Sequence, residues 1–123
     1  MTIHEAITQI DALKFNTYTQ SEKIKWLSVI DGIIKREIID THEGGDSVAF
    51  DGYDDDTSLE TELLAPFPYD DLYIKWLETQ IDYANAEYGK YNNSKVAYTA
   101  AYTAFDSWYN RQHMPIGKQF KCF

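Results

Sequence analysis

Two long segments in the second half of the chain combine helical spacing with many aromatic side chains, and they constrain the fold more than any other feature. They cover residues 69–88 and residues 94–109. A chain of 123 residues can build only one modest core. We therefore expect these helices to carry more apolar and aromatic surface than a single copy can bury, which predicts self-association.

The same reasoning divides the aromatic residues into two groups. Aromatic side chains at helical spacing more often belong to a core, so we assign roughly two-thirds of them to the subunit interior. Tyr and Trp are also enriched at the centres of protein interfaces, and the remainder is assigned there. The residues predicted to lie at a subunit interface are Trp76, Tyr83, Tyr98, Tyr102 and Tyr109.

Composition indicates a folded protein rather than a disordered or fibrous one. Hydrophobic residues make up 44% of the chain, against six glycines and three prolines. The apolar runs are far shorter than the roughly 20 residues that cross a bilayer, and residues 1–5 do not resemble a signal peptide. The lone Cys122 has no internal partner for a disulfide. These observations predict a cytosolic protein with a reduced thiol and no membrane association.

Capping signals place the first two helices. Thr2 with Glu5 and Thr19 with Glu22 both fit the capping-box pattern, in which a hydroxyl and a carboxylate cap the first turn. The first helix is predicted over residues 3–14 and the second from residue 20 to about residue 40, ended by Gly44 and its neighbour. Because the second segment is rich in β-branched residues, a strand over residues 33–39 remains an alternative. In the first helix, Ile3, Ile7, Ile10 and Leu13 recur at helical spacing.

Helical periodicity fails over residues 44–68, where Gly, Asp and Pro dominate. We predict a long loop there, with a possible short β-hairpin that would pair residues 47–53 with residues 59–64. A turn is predicted at residues 89–93, between the third and fourth helices. The sequence thus predicts a single all-α domain over residues 1–123, a four-helix subunit with an acidic loop at 44–68 and a tail at 115–123.

The net charge of −9 is distributed unevenly along the chain. Residues 40–71 contain eleven acids and no Lys or Arg, whereas the remainder contains nine acids and eleven bases, a net charge of +2. After Asp106 the chain has bases but no acid. Tight nonspecific binding to nucleic acid requires clustered cations, and the sequence supplies no such cluster.

Within the acidic run, residues 51–62 have the length of a calcium-binding loop, which is about twelve residues. The match is poor, since Tyr53 stands at a ligand position and Asp56 stands where the sharp turn requires glycine. A solvated acidic loop, or an electrostatic contact with a partner, is the favoured interpretation. No metal and no cofactor are therefore predicted.

No catalytic constellation is visible either. His4, His42 and His113 do not have the spacing that builds a zinc site, and His42, which follows a helix, is interpreted as a helix cap. Cys122 has no base held against it, and Gly44 with Gly45 forms a turn rather than a phosphate loop. The sequence predicts that the protein is not an enzyme.

Four segments carry a resemblance to a known family. They are TQSEKIKWL at residues 19–27, IIDTHE at 38–43, PYDDLYIKWLE at 68–78 and YNRQHMP at 109–115. Together with their spacing they make nearly the whole chain similar to the head-tail connector proteins of tailed phages, also called adaptor or head-completion proteins, in a version found in prophages of Gram-positive bacteria. Each segment is a structural motif rather than a chemical signature.

The resemblance implies a small α-helical ring subunit, of about twelve copies, that docks beneath the portal and extends the DNA channel without sequence-specific binding. It implies contacts with the portal protein and with tail or stopper proteins, and a location in the host cytoplasm during assembly and then at the head-tail junction of the virion. An acidic loop facing the channel or a partner would repel DNA phosphates, and a basic tail would dock to the portal or to a neighbouring acidic loop. The loop residues concerned are Asp51, Asp54, Asp55, Asp56, Glu60 and Glu62, and the tail residues are Arg111, Lys118, Phe120 and Lys121.

Two other functions remain open on the sequence. The charge of −9 also suits an acidic DNA mimic or a small regulatory protein-binding module, which would be a stable monomer or dimer. A metal-dependent hydrolase built on the acidic loop is the remote third possibility. The sequence does not distinguish a connector from a stopper.

Overall fold

The computed structural model describes residues 1–116 of the chain, and within that range the regular elements are helices, with no β-strand. The predicted all-α, four-helix fold is confirmed. The α-helices are α1 (Ile3–Leu13), α2 (Gln20–Ile34), α3 (Asp71–Ala84) and α4 (Tyr88–Gln112). A π-helical turn, Lys35–Ile39, extends α2, and a 3₁₀ turn, Gly45–Ser47, follows it. None of these helices is long and apolar enough to cross a membrane.

Reciprocal hydrogen bonds begin α1 and α2 at the predicted residues. The hydroxyl of Thr2 accepts from the backbone N–H of Glu5 at 3.1 Å, and the Glu5 carboxylate accepts from the Thr2 N–H at 2.9 Å. Thr19 and Glu22 repeat the arrangement at 3.1 and 3.2 Å. Each box satisfies backbone donors that the first helical turn leaves free. Of the four apolar residues at helical spacing, Ile3, Ile7 and Ile10 are buried, whereas Leu13 at the end of α1 is 62% exposed.

The second helix continues to Ile39, so residues 33–39 are helical and the alternative of a strand there is wrong. Two glycines then end it for different reasons. Gly44 adopts a left-handed backbone with φ of 85°, which favours glycine. At Gly45 a Cβ atom would lie 2.4 Å from the carbonyl oxygen of Ile39, so no side chain fits there. The predicted stop is therefore confirmed.

The α3–α4 corner differs from the prediction. The predicted turn at residues 89–93 lies inside α4, and the chain reverses at residues 85–87 instead. Ala86 takes the left-handed conformation, with φ of 59°. The N–H of Glu87 donates to the Asp82 carbonyl at 3.0 Å, and the N–H of Ala86 donates to the Tyr83 carbonyl at 3.0 Å. These two bonds form a Schellman motif, which ends α3 without the glycine that usually signals it.

Contacts at the helix ends define the topology. Asp82 near the end of α3 pairs with Lys14 just after α1, so α1 and α3 end on the same side of the bundle. Tyr18 before α2 donates to Asn85 after α3, and His42 after α2 contacts Asn110 near the end of α4. Helices α2 and α4 therefore run opposite to α1 and α3. The side chains that fill the centre come mainly from α1, α2 and α3, with α4 contributing Phe105 and Tyr109.

The loop of residues 44–68 does not form the possible hairpin. Its second half pairs with the start of α1, since the N–H of Ile3 donates to the Thr61 carbonyl at 3.1 Å and the N–H of Leu63 donates to the Met1 carbonyl at 2.9 Å. These contacts use the backbone groups that a hairpin would need. Leu63 and Ala65 are buried, so the loop covers part of the core.

Candidate interaction surfaces

Within residues 1–116, no part of the chain covers one long face of helix α4. Most of its packing is against α3, and of its 25 residues only Ser94, Phe105 and Tyr109 are buried. The opposite side of the helix carries mostly small residues at helical spacing over four turns, and Val96 among them is 71% exposed. The residues that line this uncovered α4 face are Asn92, Lys95, Val96, Thr99, Ala100, Thr103, Ala104 and Ser107.

The predicted interface aromatics occupy different environments. Tyr83 is 59% exposed at the α3–α4 corner, where its ring lies 5.2 Å from Tyr91. Trp76 and Tyr98 are half-buried with ring centroids 5.1 Å apart, and the indole N–H of Trp76 donates to the Trp26 carbonyl at 2.8 Å. The rings of Trp76 and Tyr98 thus pack mainly within the subunit, whereas the ring of Tyr83 is largely exposed.

Tyr102 and Tyr109 lie further along α4. The Tyr102 hydroxyl donates to Glu37 at 3.0 Å, which ties α4 to the π-helical turn. Burial and then the Glu37 carboxylate raise the pKa of Tyr102, and burial and the same carboxylate raise the pKa of Tyr98 to about 12. Tyr109 is only 8% exposed, so its assignment to a subunit interface is corrected to the subunit core. The exposed aromatics that the sequence did not single out are Phe15, Phe67 and Tyr88.

The acidic loop presents its carboxylates to solvent. Asp51, Asp54, Asp55, Asp56, Glu60 and Glu62 are all exposed. At the tip, the Asp54 carboxylate accepts from the N–H of Asp56 at 2.9 Å and from the Thr57 hydroxyl at 3.2 Å. The Glu62 carboxylate lies 3.2 Å from the amino group of Met1. Apart from these contacts, no side-chain hydrogen bond or ion pair within residues 1–116 engages these carboxylates.

A buried carboxylate beneath the loop holds it against the helices. Asp31 of α2 is fully buried and accepts from the hydroxyls of Tyr53 and Tyr73, both at 2.5 Å, and from the N–H of Leu64 at 3.1 Å. The Tyr73 hydroxyl in turn accepts from the N–H of Ala65 at 2.7 Å. Two of the donors to Asp31 belong to the loop and one belongs to α3. The carboxylate therefore fixes the loop to both helices.

Electrostatics around Asp31 follow from its burial. Removal from water raises its pKa above the ordinary value, although the hydrogen bonds from Tyr53, Tyr73 and Leu64 act in the opposite direction. Burial and the adjacent carboxylate raise the pKa values of Tyr53 and Tyr73, so both hydroxyls remain donors. Sequence reasoning missed this cluster. Its position could have indicated burial, since Asp31 follows Leu27 by four residues and so lies on the apolar stripe of α2.

A second buried carboxylate holds the start of α4. Asp82 of α3 is 1% exposed, lies 2.7 Å from the Lys14 ammonium and accepts from the Ser94 hydroxyl at 2.9 Å. Burial lowers the pKa of Lys14, but the carboxylates of Asp82 and Glu78 outweigh it, so the pKa is raised overall. The pair joins α1, α3 and α4 at one end of the bundle.

The other end of α4 is held by His42. Its Nδ1 lies 2.5 Å from the Ile38 carbonyl oxygen, so the ring caps the preceding helix as predicted. Its Nε2 lies 2.5 Å from the side-chain amide oxygen of Asn110, and the ring packs edge-on against Tyr109. The chain after α4 then pairs with residues 41–43 through two backbone hydrogen bonds.

The predicted docking tail is described only at its beginning. Arg111 is exposed in the last turn of α4. Lys118, Phe120 and Lys121 lie outside the described residues, as does Cys122.

Within residues 1–116, no group of three or more His, Cys, Asp or Glu side chains is placed to hold a metal ion. The residues of the tested calcium loop therefore do not converge on one point. The two buried carboxylates are both engaged with donors that belong to the fold.

Comparison of the chain with protein-family models, with curated protein sequences and with solved structures gave no match.

Proposed function

We propose that the protein is a structural subunit of the head-tail junction of a tailed phage, a connector that forms a ring beneath the portal and extends the DNA channel. The proposal combines the resemblance of four sequence segments with a helical subunit of suitable size. It needs no catalytic or metal site. In this proposal the protein acts through its surfaces alone.

The observation that carries the proposal is the presence of two unlike exposed surfaces on different elements. The acidic loop packs over α1 and α2, whereas the uncovered α4 face points away from α3. A head-to-tail ring requires two different surfaces on each subunit, and these two satisfy that requirement. The exposed carboxylates also suit a channel wall, because like charge keeps DNA phosphates from adhering.

The direct experiment mixes the purified chain with the portal protein encoded in the same genome. We expect a complex that elutes as one species, has a fixed ratio of subunits by native mass spectrometry and appears as a stacked ring by electron microscopy. A chain that neither assembles nor binds the portal at tens of micromolar would contradict the proposal.

A functional experiment uses the phage itself. Replacing Asp54, Asp55 and Asp56 by Asn should slow genome transit in the particles that assemble, because the charge that keeps DNA phosphates from adhering is removed. A matched control removes three exposed acids outside the loop, by replacing Asp40 and Asp71 with Asn and Glu43 with Gln. Equal transit rates for both variants would remove the channel role from the proposal.

The alternative function, an acidic DNA mimic or regulatory binder, predicts different behaviour. Such a protein would remain a monomer or dimer and would compete with DNA for a basic partner. The exposed acidic loop favours this alternative as well, so the portal experiment is the one that separates the two.

A further inference from the structure

The uncovered α4 face lacks charge over a long stretch. Between Lys95 and Asp106 the helix has ten consecutive residues without an acid or a base. Soluble proteins are designed with about 25–35% charged residues on their surfaces, so an exposed helix face on which Lys95 is the one charged lining residue is atypical of a surface in permanent contact with water. Thr99, Ala100 and Thr103 are exposed on it, and their small side chains allow another chain to approach the backbone closely.

Exposed bases lie towards both ends of this face, since Lys95 lines it and Arg111 follows Ser107 by one helical turn. On the side of α3 it meets the ion pair of Asp71 with Lys75, which adds no net charge. Helix α4 contains three bases, Lys90, Lys95 and Arg111, and one acid, Asp106, which gives a net charge of +2. All three bases are exposed, whereas Asp106 is half-buried. Lys90 lies 2.8 Å from Glu87, a contact that solvent screens, while Lys95 extends over the Tyr91 ring and Arg111 is exposed in the last turn. A ligand of this face would therefore be acidic.

The loop of residues 44–68 supplies the complementary charge. It contains seven acids and no base, a net charge of −7. Its tip is held in place, since the N–H of Tyr53 donates to the Ser28 hydroxyl at 2.9 Å and the tip has its own hydrogen bonds around Asp54. A loop fixed in advance loses little conformational freedom on binding. It is also placed over α1 and α2, where it does not cover the α4 of its own chain.

We propose that the uncovered α4 face of one copy receives the acidic loop of a second copy. This inference rests on the proposed function and specifies the contact between neighbouring subunits. A contact between two α4 helices would bring together surfaces of the same positive sign and close as a dimer. The contact between α4 and the loop joins opposite charges and leaves both surfaces free at the two ends of a row, as a ring requires.

Cross-linking tests the contact directly. In a Cys122→Ser background, Thr99→Cys is introduced into one sample and Asp55→Cys into another, and the two are mixed with a short bismaleimide at tens of micromolar. We expect a cross-linked dimer in the mixture and in neither sample alone. Gln9→Cys, at an exposed position on α1, replaces Asp55→Cys in the control mixture and should give no dimer.

Other outcomes overturn the inference. A dimer from Thr99→Cys alone would indicate an α4–α4 contact, a dimer from Asp55→Cys alone would indicate a loop–loop contact, and the absence of any dimer would exclude self-contact through these surfaces. If no dimer forms but the chain still binds the portal, the inference fails and the proposed function stands. If the cross-linked dimer forms but the chain does not bind the portal, the contact between copies is supported and the proposed function fails.

Charge reversal provides an independent readout. Lys95→Glu with Arg111→Glu should weaken self-association at least tenfold, and so should replacement of Asp54, Asp55 and Asp56 by Lys. Mixing these two charge-reversed proteins should restore association. A mixture no stronger than either variant alone would contradict the proposed pairing of charges.

Discussion

The acidic loop is irregular but firmly attached to the rest of the fold, whereas helix α4 is regular but attached along one face only. The loop of residues 44–68 has almost no regular structure, yet Asp31, Ser28 and the start of α1 hold it through side-chain and backbone hydrogen bonds. Helix α4 is the longest regular element, and it packs along one face with its outer face uncovered. Local regularity is therefore a poor guide to how firmly a segment belongs to this fold. Buried polar groups decide the attachment of both regions.

The largest effect is expected where the loop is attached. Asp31→Ala leaves two tyrosine hydroxyls and one backbone N–H without an acceptor, and we expect a loss of about 3–5 kcal/mol of unfolding free energy. Chemical denaturation followed by circular dichroism measures it. Asp51→Ala, an exposed acid of the same loop, is the control and should change stability by less than about 0.5 kcal/mol. Equal effects for the two variants would remove the distinction between buried attachment and exposed charge.

Helix α4 should depend in the same way on Asp82. Asp82→Ala leaves the Lys14 ammonium without its buried partner and should cost about 3 kcal/mol. Hydrogen exchange should accelerate first at the start of α4, whereas in the Asp31 variant it should accelerate first in the loop. Asp71→Ala, which breaks an exposed pair with Lys75, is the control and should cost no more than about 0.5 kcal/mol. Uniform acceleration in both variants would indicate that the two regions unfold as one unit.

The pH dependence of the unfolding free energy tests how Asp31 attaches the loop. Burial raises the pKa of Asp31 in the folded protein, so the folded state binds a proton more readily than the unfolded chain. This contribution to stability is fully present below the unfolded pKa of about 3.9 and is lost as the pH rises through the folded pKa. The stability of the natural chain minus that of Asp31→Asn should therefore increase as the pH falls through this window. A difference that does not change with pH would contradict the raised pKa.

The smallest effect is expected at the corner that leads into α4. Ala86 has a left-handed backbone that costs an L-residue about 1–2 kcal/mol, whereas glycine adopts it freely but loses more entropy on folding. Ala86→Gly should therefore stabilise the protein by about 0.5–1 kcal/mol. Ala100→Gly, in the exposed middle of α4, should instead destabilise it by about 1 kcal/mol. Thermal unfolding of the two variants measures both signs.

The sequence predicts best what depends on neighbouring residues. The starts of α1 and α2 are set by Thr2 with Glu5 and by Thr19 with Glu22, pairs only three residues apart, and both predictions are confirmed. The stop after Ile39 is also local, since it depends on two adjacent glycines. The sequence misplaces the α3–α4 corner, because Gly89 gives a turn signal although Ala86 is the residue that adopts the left-handed conformation. Residue type alone does not reveal that exchange.

The attachments of the loop could not be predicted because they join distant positions. Asp31 meets Tyr53 and Tyr73, which lie 22 and 42 residues further along the chain. The burial of Tyr109 depends in the same way on His42. For the candidate surfaces, the sequence identified the exposed acids correctly, because charged side chains avoid burial. It did not identify the α4 face, because small residues are compatible with either a buried or an exposed position.

The π-helical turn after α2 sets the direction in which the residues that follow it, among them His42, leave the helix axis. This turn closes over five residues, with the N–H of Asp40 donating to the Lys35 carbonyl at 2.8 Å, so it holds one residue more than an α-helical turn. One residue corresponds to a rotation of about 100° around the helix axis. Insertion or deletion of a single residue here would therefore swing His42 away from Asn110, whereas exchange of the exposed Arg36 would not. Variation in length should be far less tolerated in this turn than variation in residue type.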